Sequence, residues 1–293
     1  MQFINKAIDR PEGNQITKAY LENIRIEDEQ RYPVDYDDSF RKLPDKRNSY
    51  YKQMTKVLLK NQHNHCCYCM RRLTGDNDTT LEHIIPQAAD ENILSDYQKE
   101  AFPMFNNQHI KLSNVFSHEE NPNLSILPHT VCSDNLVASC YGLFPKQQGE
   151  STVEDKSGHF CNNVRGKKKV LPLYFLADIN SILSYCANGY IIANKNSEWA
   201  NEAENLILNT KLMWTSLVDI RELWYVLRNV DIDEIVQAGN DSKSRQDLLL
   251  DNLLEAHFSI KRMKDLATKF EKDKYWKCFL LYDWFYSITW NTK

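Results

Sequence analysis

The sequence predicts an α+β fold, in which a small metal-binding core of short strands and turns precedes a mainly α-helical C-terminal half. Three observations lead to this prediction. Residues 61–170 are rich in Asn, Asp, Gly, Pro and His, and hold every cysteine except Cys186 and Cys278. In the same region, "TTLEHIIP" and "LSILPHT" have the length and bounding residues of brief strands. From about residue 197 onward, apolar residues recur near helical spacing.

We divide the chain into three segments on these patterns. Residues 1–60 form an N-terminal segment, in which "FINKAIDRP" predicts a short strand and "YYKQMTKVLLK" ends an amphipathic helix over about 46–60. Residues 61–175 form the metal-binding module, and residues 176–293 form an α-helical domain. The end of the chain is heavily aromatic, which fits either an internal core or a surface that docks a partner. These aromatic residues are Trp276, Phe279, Trp284, Phe285 and Trp290.

The composition limits the class of protein. The chain has 293 residues, of which 42% are hydrophobic and 26% charged, and its net charge of −4 excludes a uniformly basic nucleic-acid coat. The N-terminal sequence "MQFINKAIDRPEGN" has no apolar signal region, and no apolar stretch is long enough to cross a membrane. We therefore expect a cytoplasmic protein with no membrane contact, in which cysteines bind metal rather than form disulfides.

Cys66 and Cys69 form a CxxC pair, the spacing at which one tight turn presents two thiolates to one tetrahedral Zn²⁺. Cys140 and Cys161 are flanked by small, polar, turn-forming residues, and the polar chain between them can loop out. Our preferred prediction is a structural zinc bound by Cys66, Cys69, Cys140 and Cys161. Several alternatives remain, in which one thiolate is replaced or some cysteines are only buried thiols. The possible replacements are Cys132, Cys67, His65 and His159.

A carboxylate and an imidazole lie side by side at the end of a predicted strand, as Glu82 and His83 in "TTLEHIIPQ". A carboxylate can bind a hard cation, and an imidazole can take a proton from water. One metal and one general base are sufficient to hydrolyse a phosphodiester. A Glu-His pair alone is more often surface charge, so its context decides the interpretation.

The order CxxC, "EHIIP", "NLVASC" and "CNNVRGKKK" over residues 66–169 resembles the ββα-metal, or HNH, nuclease family in its zinc-knuckle form. The resemblance implies that His83 is the general base and that Glu82 binds a catalytic metal. Glu82 is a departure, because the family more usually has Asp there. The longer chain between Cys140 and Cys161 is a second departure.

Two asparagines complete the resemblance. Asn135 corresponds to the family's middle asparagine, which orients the loop that carries the base. Asn162, directly after Cys161, corresponds to the second metal ligand, with Asn163 as the alternative. Carboxylate and amide oxygens suit Mg²⁺ or Mn²⁺ as the catalytic ion.

The order of motifs along most of the chain is similar to the HNH nuclease subunits (PtuB) of Septu anti-phage defence systems, including those attached to retrons. Such subunits act with an ABC-type, SMC-like ATPase subunit (PtuA). The resemblance implies an ATPase partner and, for retron versions, a reverse transcriptase–msDNA complex. This chain has neither a GxxxxGK[ST] nor a GxGxxG motif, so we expect another polypeptide to bind the nucleotide.

A run of cations follows Asn162, as Arg165, Lys167, Lys168 and Lys169 in "VRGKKK". Clustered cations beside a phosphate-cleaving site would bind the nucleic-acid backbone without reading sequence, and Arg71 and Arg72 could extend this surface. A solvated loop is the simpler interpretation of such a run.

Two functions from different classes remain. The first is an endonuclease that cuts DNA, or a structured RNA such as tRNA, as the toxic effector of a defence system. The second is a zinc-stabilised module that binds nucleic acid or protein and has an inactive Glu-His site. Only the first function should be lost when His83 is replaced and the fold stays unchanged.

Overall fold

The computed structural model confirms a mixed α+β fold of helices and small sheets. It describes residues 1–25, 31–45, 47–89, 92–93, 96–97, 110–112, 115–117, 127–142, 159–231, 233–234, 242–255 and 278–291. Trp276, one of the predicted aromatic residues, lies outside these ranges. Within them, every sheet has two strands.

The chain separates into two compact units. Unit 1 contains residues 1–68, 73–141 and 165–180, and unit 2 contains residues 69–72, 142–164 and 181–293. The N-terminal segment that we divided from the metal-binding module at residue 60 therefore lies in unit 1 with most of that module.

Unit 1 begins with a helix, α1 (Lys6–Ile24), so the strand predicted for "FINKAIDRP" is wrong. The Asn5 side chain accepts a hydrogen bond from the Ala7 N–H at 3.1 Å and caps the helix, which offsets part of the poor helix propensity of Pro11. Ile16, Tyr20 and Leu21 then bury one face of α1.

The helix predicted to end in "YYKQMTKVLLK" is confirmed as α2 (Tyr50–Asn61), with Ser49 as its N-cap. The predicted strand in "TTLEHIIP" is confirmed as β2 (Thr79–His83), which pairs antiparallel with β6 (Leu136–Cys140). The register sets His83 opposite Leu136, at the end of this two-stranded sheet where β6 begins.

The other strands of unit 1 are short. β1 (Arg31–Pro33) pairs antiparallel with β4 (Val115–Ser117), and β3 (Ile110–Lys111) pairs parallel with β5 (Leu127–Pro128), which lies in the predicted strand "LSILPHT". The described residues as far as 182 also include a π-helical turn, two 3₁₀ turns and two one-turn helices. They are Tyr36–Phe40, Ser133–Asn135, Leu173–Phe175, α3 (Asn162–Arg165) and α4 (Ile179–Ile182).

The predicted helical half is helical in large part but begins with a hairpin, β7 (Leu183–Tyr185) and β8 (Ile191–Ala193). The apolar pattern from residue 197 forms two helices, α5 (Ala200–Asn209) and α6 (Thr215–Val226), because Lys211 takes a left-handed conformation (φ 48°) between them. A further helix in this half is α7 (Ser242–Glu255). A 3₁₀ turn, Asp283–Tyr286, lies near the end of the chain.

The C-terminal aromatic residues that the structure describes contribute to the core of unit 2. Phe279 and Phe285 are buried, and the Phe279 ring stacks on Trp224 with centroids 4.2 Å apart. Trp284 and Trp290 are half-buried. The interpretation as an internal core is therefore confirmed for Phe279 and Phe285.

None of the helices in the described part of the chain combines the length and apolar character that a membrane span requires.

Candidate functional site

The structure brings together the four cysteines that the spacing selected. The sulfur atoms of Cys66, Cys69, Cys140 and Cys161 all lie within 4.8 Å of one another, and all four residues are buried. Four buried thiols at this separation could bind one metal ion. Among the described residues, this is the one group of three or more His, Cys, Asp or Glu side chains that could do so.

The proposed substitutes for these thiolates are not part of the cluster. Cys67 and Cys132 are buried but are not members of the group, and burial raises the pKa of both thiols, in the case of Cys132 to about 12. His65 and His159 also lie outside the group. Within the cluster, the Cys66 sulfur accepts a hydrogen bond from the Cys140 N–H at 3.3 Å, so the turn at Cys66 is tied to the end of β6.

His83 is the last residue of β2, and its ring has one nitrogen fixed by the protein. Nε2 lies 2.8 Å from the Thr130 carbonyl oxygen. A carbonyl only accepts hydrogen bonds, so Nε2 carries the proton and Nδ1 carries the lone pair of the neutral ring. Among the described residues, no hydrogen bond to Nδ1 is present.

The segment after His83 is held by Asn135. The Asn135 side-chain oxygen accepts a hydrogen bond from the Ile85 N–H at 2.7 Å, and its amide nitrogen donates to the Ile85 carbonyl at 3.0 Å and to the His129 carbonyl at 2.8 Å. Asn135 is fully buried. One side chain thus joins the residues after His83 to the segment that holds Nε2.

The N-terminal helix supports this arrangement from the other side of the 3₁₀ turn Ser133–Asn135. Thr17 donates to the Val131 carbonyl at 2.7 Å, Arg10 donates to the Asp134 carboxylate at 2.9 Å, and Lys6 donates to the Leu136 carbonyl at 3.0 Å. A Cβ atom at Gly13 would lie 2.4 Å from the Ser133 Cβ, so the two backbones can approach this closely because residue 13 is glycine.

Glu82 does not offer a free carboxylate. Its Oε1 accepts hydrogen bonds from the Arg165 guanidinium and, at 3.3 Å, from the Tyr68 hydroxyl. Burial raises the pKa of the Glu82 carboxyl, and the Arg165 charge opposes that shift. Because a guanidinium stays protonated, the pair is a buried ion pair.

Arg165 corrects one prediction. We grouped it with the lysines that follow it as a nucleic-acid contact, but its side chain is 2% exposed. Lys167, Lys168 and Lys169 are exposed, as a nucleic-acid contact requires. Gly166, with a φ of 51°, turns the chain between the buried arginine and the exposed lysines. Of the arginines proposed to extend this surface, Arg71 is buried and Arg72 is paired with Asp283.

The proposed second metal ligand lies at the start of α3. Asn162 is half-buried, and the alternative, Asn163, is exposed. The four-residue helix α3 thus carries Asn162 at one end and the buried Arg165 at the other.

Burial lowers the pKa of His83 to about 4 and lowers that of His129 as well. The His83 ring is 9% exposed, and the edge of Tyr36 contacts it with ring centroids 4.5 Å apart. The imidazole is therefore neutral at pH 7 and largely covered in this conformation.

Sequence reasoning missed several partners of His83. Thr130 acts through its backbone carbonyl, which has no signature in residue type. Tyr36 contacts the His83 ring, and it carries no local motif. Tyr68 and Tyr97, which bond to Glu82 and to Arg165 respectively, carry no local motif either. Arg165 had a signal, its place in a basic run, but that signal predicted an exposed side chain and the side chain is buried.

Comparison with known proteins gives no match to a family model, to a curated protein or to a solved structure.

Proposed function

We propose that this protein is an HNH endonuclease that hydrolyses phosphodiester bonds, with His83 as the general base. One observation supports this most directly. The hydrogen bond from Nε2 to the Thr130 carbonyl fixes the tautomer, so the lone pair of the neutral ring lies on Nδ1. An oriented imidazole with one nitrogen available to accept a proton is what general-base catalysis requires.

In the proposed reaction, His83 Nδ1 accepts a proton from water while the water oxygen forms a bond to phosphorus. The bond from phosphorus to the leaving oxygen breaks, and the leaving oxygen takes a proton from solvent. Solvent then removes the proton from Nδ1 and regenerates the base. The lowered pKa keeps the ring neutral before substrate binds. An anionic phosphate near the ring would raise this pKa and strengthen the base.

A structural zinc fits the four-cysteine cluster. Tetrahedral Zn²⁺ with Zn–S bonds of about 2.3 Å holds its sulfurs about 3.8 Å apart, which the observed limit of 4.8 Å accommodates. All four residues are buried, as they are in a closed site that leaves no position for water. We propose that Cys66, Cys69, Cys140 and Cys161 bind zinc and that zinc stabilises the fold around them.

A catalytic Mg²⁺ or Mn²⁺, which the resemblance implies for Glu82 and Asn162, does not fit the residues as they are arranged. The one carboxylate of this pair is already neutralised by Arg165. Among the described residues, no group of three acidic or imidazole side chains lies beside it. We therefore assign no step to a catalytic ion and make the ion requirement part of the test.

The substrate proposal rests on Lys167, Lys168 and Lys169, three exposed cations that follow α3 within a few residues. Such a group would bind phosphates in a salt-dependent way and without base contacts. We propose DNA as the substrate, with tRNA as the alternative. The wider role, an effector of anti-phage defence that acts with a PtuA-type ATPase or a retron reverse transcriptase–msDNA complex in the cytoplasm, rests on the resemblance alone.

The second candidate function is a zinc-stabilised binding module with an inactive HNH site. Two observations favour it: Arg165 forms an ion pair with the Glu82 carboxylate, and the Tyr36 ring packs against the His83 ring. This function needs the cysteine cluster and the exposed lysines but does not need the imidazole.

The test compares wild type with His83→Ala on labelled duplex DNA and total tRNA. Each assay is run with Mg²⁺, with Mn²⁺ and with EDTA, and with and without a co-expressed ATPase of the PtuA type. His83→Ala should retain its circular dichroism spectrum and zinc content. Cleavage by wild type and none by the variant would support the nuclease, and the degraded label would identify the substrate. Equal cleavage by both would exclude His83 as the base, and no cleavage in any condition would favour the binding module.

A further inference from the structure

We propose that Arg165 is a positioning residue for His83, and this inference rests on the proposed function. Its guanidinium lies against the backbone at the end of β2. Nη1 donates to the His83 carbonyl at 2.6 Å, and Nη2 donates to the Ile84 carbonyl. Two consecutive peptide groups, beginning at the base itself, are therefore held by one side chain.

Arg165 and Asn135 together fix three residues in a row. Arg165 binds the carbonyls of His83 and Ile84, and Asn135 binds both the N–H and the carbonyl of Ile85. The ring of His83 is held separately through Nε2. With the backbone and one ring nitrogen both fixed, the direction in which Nδ1 points is determined.

The planar guanidinium suits this task in a way that a lysine does not. Nη1 also donates to Glu82, and Nη2 also donates to the Tyr97 hydroxyl at 3.3 Å. Four acceptors shared between the two terminal nitrogens match the fixed fork of an arginine, whereas an ammonium presents three donors from one point. Glu82 then serves as the counter-charge that keeps the guanidinium buried.

The first readout needs no activity. Protein labelled with ¹⁵N at histidine gives the tautomer of each ring from its nitrogen chemical shifts, and His83→Gln assigns the His83 signals. Wild type should show the Nε2–H tautomer. Arg165→Met should show a mixture of tautomers at His83, with Arg165→Lys between the two. The control is Arg47→Met, the same change at an exposed position, which should leave the signals unchanged.

The second readout is steady-state cleavage of the substrate found above. A positioning role predicts that Arg165→Met lowers kcat by about 100-fold, the cost of a misplaced catalytic group, with KM within about twofold of wild type. A role in binding nucleic acid would instead raise KM and leave kcat unchanged.

Arg165→Lys provides the decisive variant if Arg165→Met does not fold, because it keeps the charge opposite Glu82. A folded Arg165→Lys with wild-type tautomer signals and wild-type kcat would overturn the inference. If wild type shows no cleavage but the tautomer changes as expected, the proposed reaction fails while the positioning role of Arg165 stands.

Discussion

The four-cysteine cluster and the end of β2 at His83 are both buried, but they differ in what completes them. The cluster gathers four side chains of one type, which could bind a metal ion from outside the chain. At His83, the partners are different groups from the chain itself: a backbone carbonyl, an amide and a guanidinium. The first region should therefore depend on metal supply, and the second on individual side chains.

The largest expected effect on stability comes from a substitution in the four-cysteine cluster. Cys66→Ser removes one thiolate ligand, and loss of a structural zinc removes a contribution on the order of 10 kcal/mol, comparable with the stability of a whole domain. We expect the variant to lose zinc and its cooperative thermal transition, as measured by atomic absorption and circular dichroism.

Cys186→Ser is the matched control, because Cys186 is half-buried and outside the cluster. It should keep both zinc and the transition. If Cys66→Ser kept a wild-type transition, the cluster would not hold a structural ion.

A smaller effect concerns His83 and pH. Its pKa is about 4 in the folded chain, against 6.5 for the free side chain, so the unfolded chain binds a proton more readily between these values. Stability from this group is complete above pH 6.5 and falls by about 3 kcal/mol as the pH drops to 4.

Urea unfolding of wild type and His83→Gln between pH 4 and 7 measures this contribution as the difference in slope. His129, whose pKa is also lowered, contributes to both proteins, and its charge interaction with His83 is part of the measured difference. Parallel curves would show that His83 is not buried as a neutral imidazole.

The smallest expected effect on stability concerns the side-chain amide of Asn135. Asn135→Ala removes three hydrogen bonds and leaves buried backbone groups without this partner, which should lower the free energy of unfolding by about 2 kcal/mol. Urea denaturation at pH 7 with an unchanged m-value measures it. Asn196→Ala, in an exposed turn, is the control and should differ from wild type by less than about 0.5 kcal/mol. An Asn135→Ala protein as stable as the control would mean that solvent replaces the amide.

The sequence was most informative where spacing alone determines chemistry. The CxxC pair and the turn-flanked Cys140 and Cys161 led to the correct cluster, because a metal site needs a fixed number of donors of few types. The helix α2 and the strand β2 also followed from their apolar patterns. Two kinds of feature did not follow from patterns of this kind.

The first of these features was whether a charged side chain is buried or exposed. Arg165 lies in a run of cations, and nothing in "VRGKKK" separates the buried cation from the exposed ones until the turn at Gly166 is known. The second was the competition between a local apolar pattern and other interactions of the same residues. In "FINKAIDRP" the apolar residues suggested a strand, whereas the cap at Asn5 and the packing of α1 against residues distant in the chain favour a helix.

The contacts of α1 have a consequence for how the chain matures on the ribosome. This helix is synthesised before the residues whose carbonyls accept hydrogen bonds from Lys6 and Thr17, because those residues, Leu136 and Val131, each lie more than a hundred positions later. Until those residues emerge, the polar groups of α1 remain in water, and contacts between such distant positions form slowly. The contacts of α1 with residues 131–136 therefore form only after those residues have been synthesised. A nascent protein that stops before residue 131 cannot yet assemble the segment that orients His83.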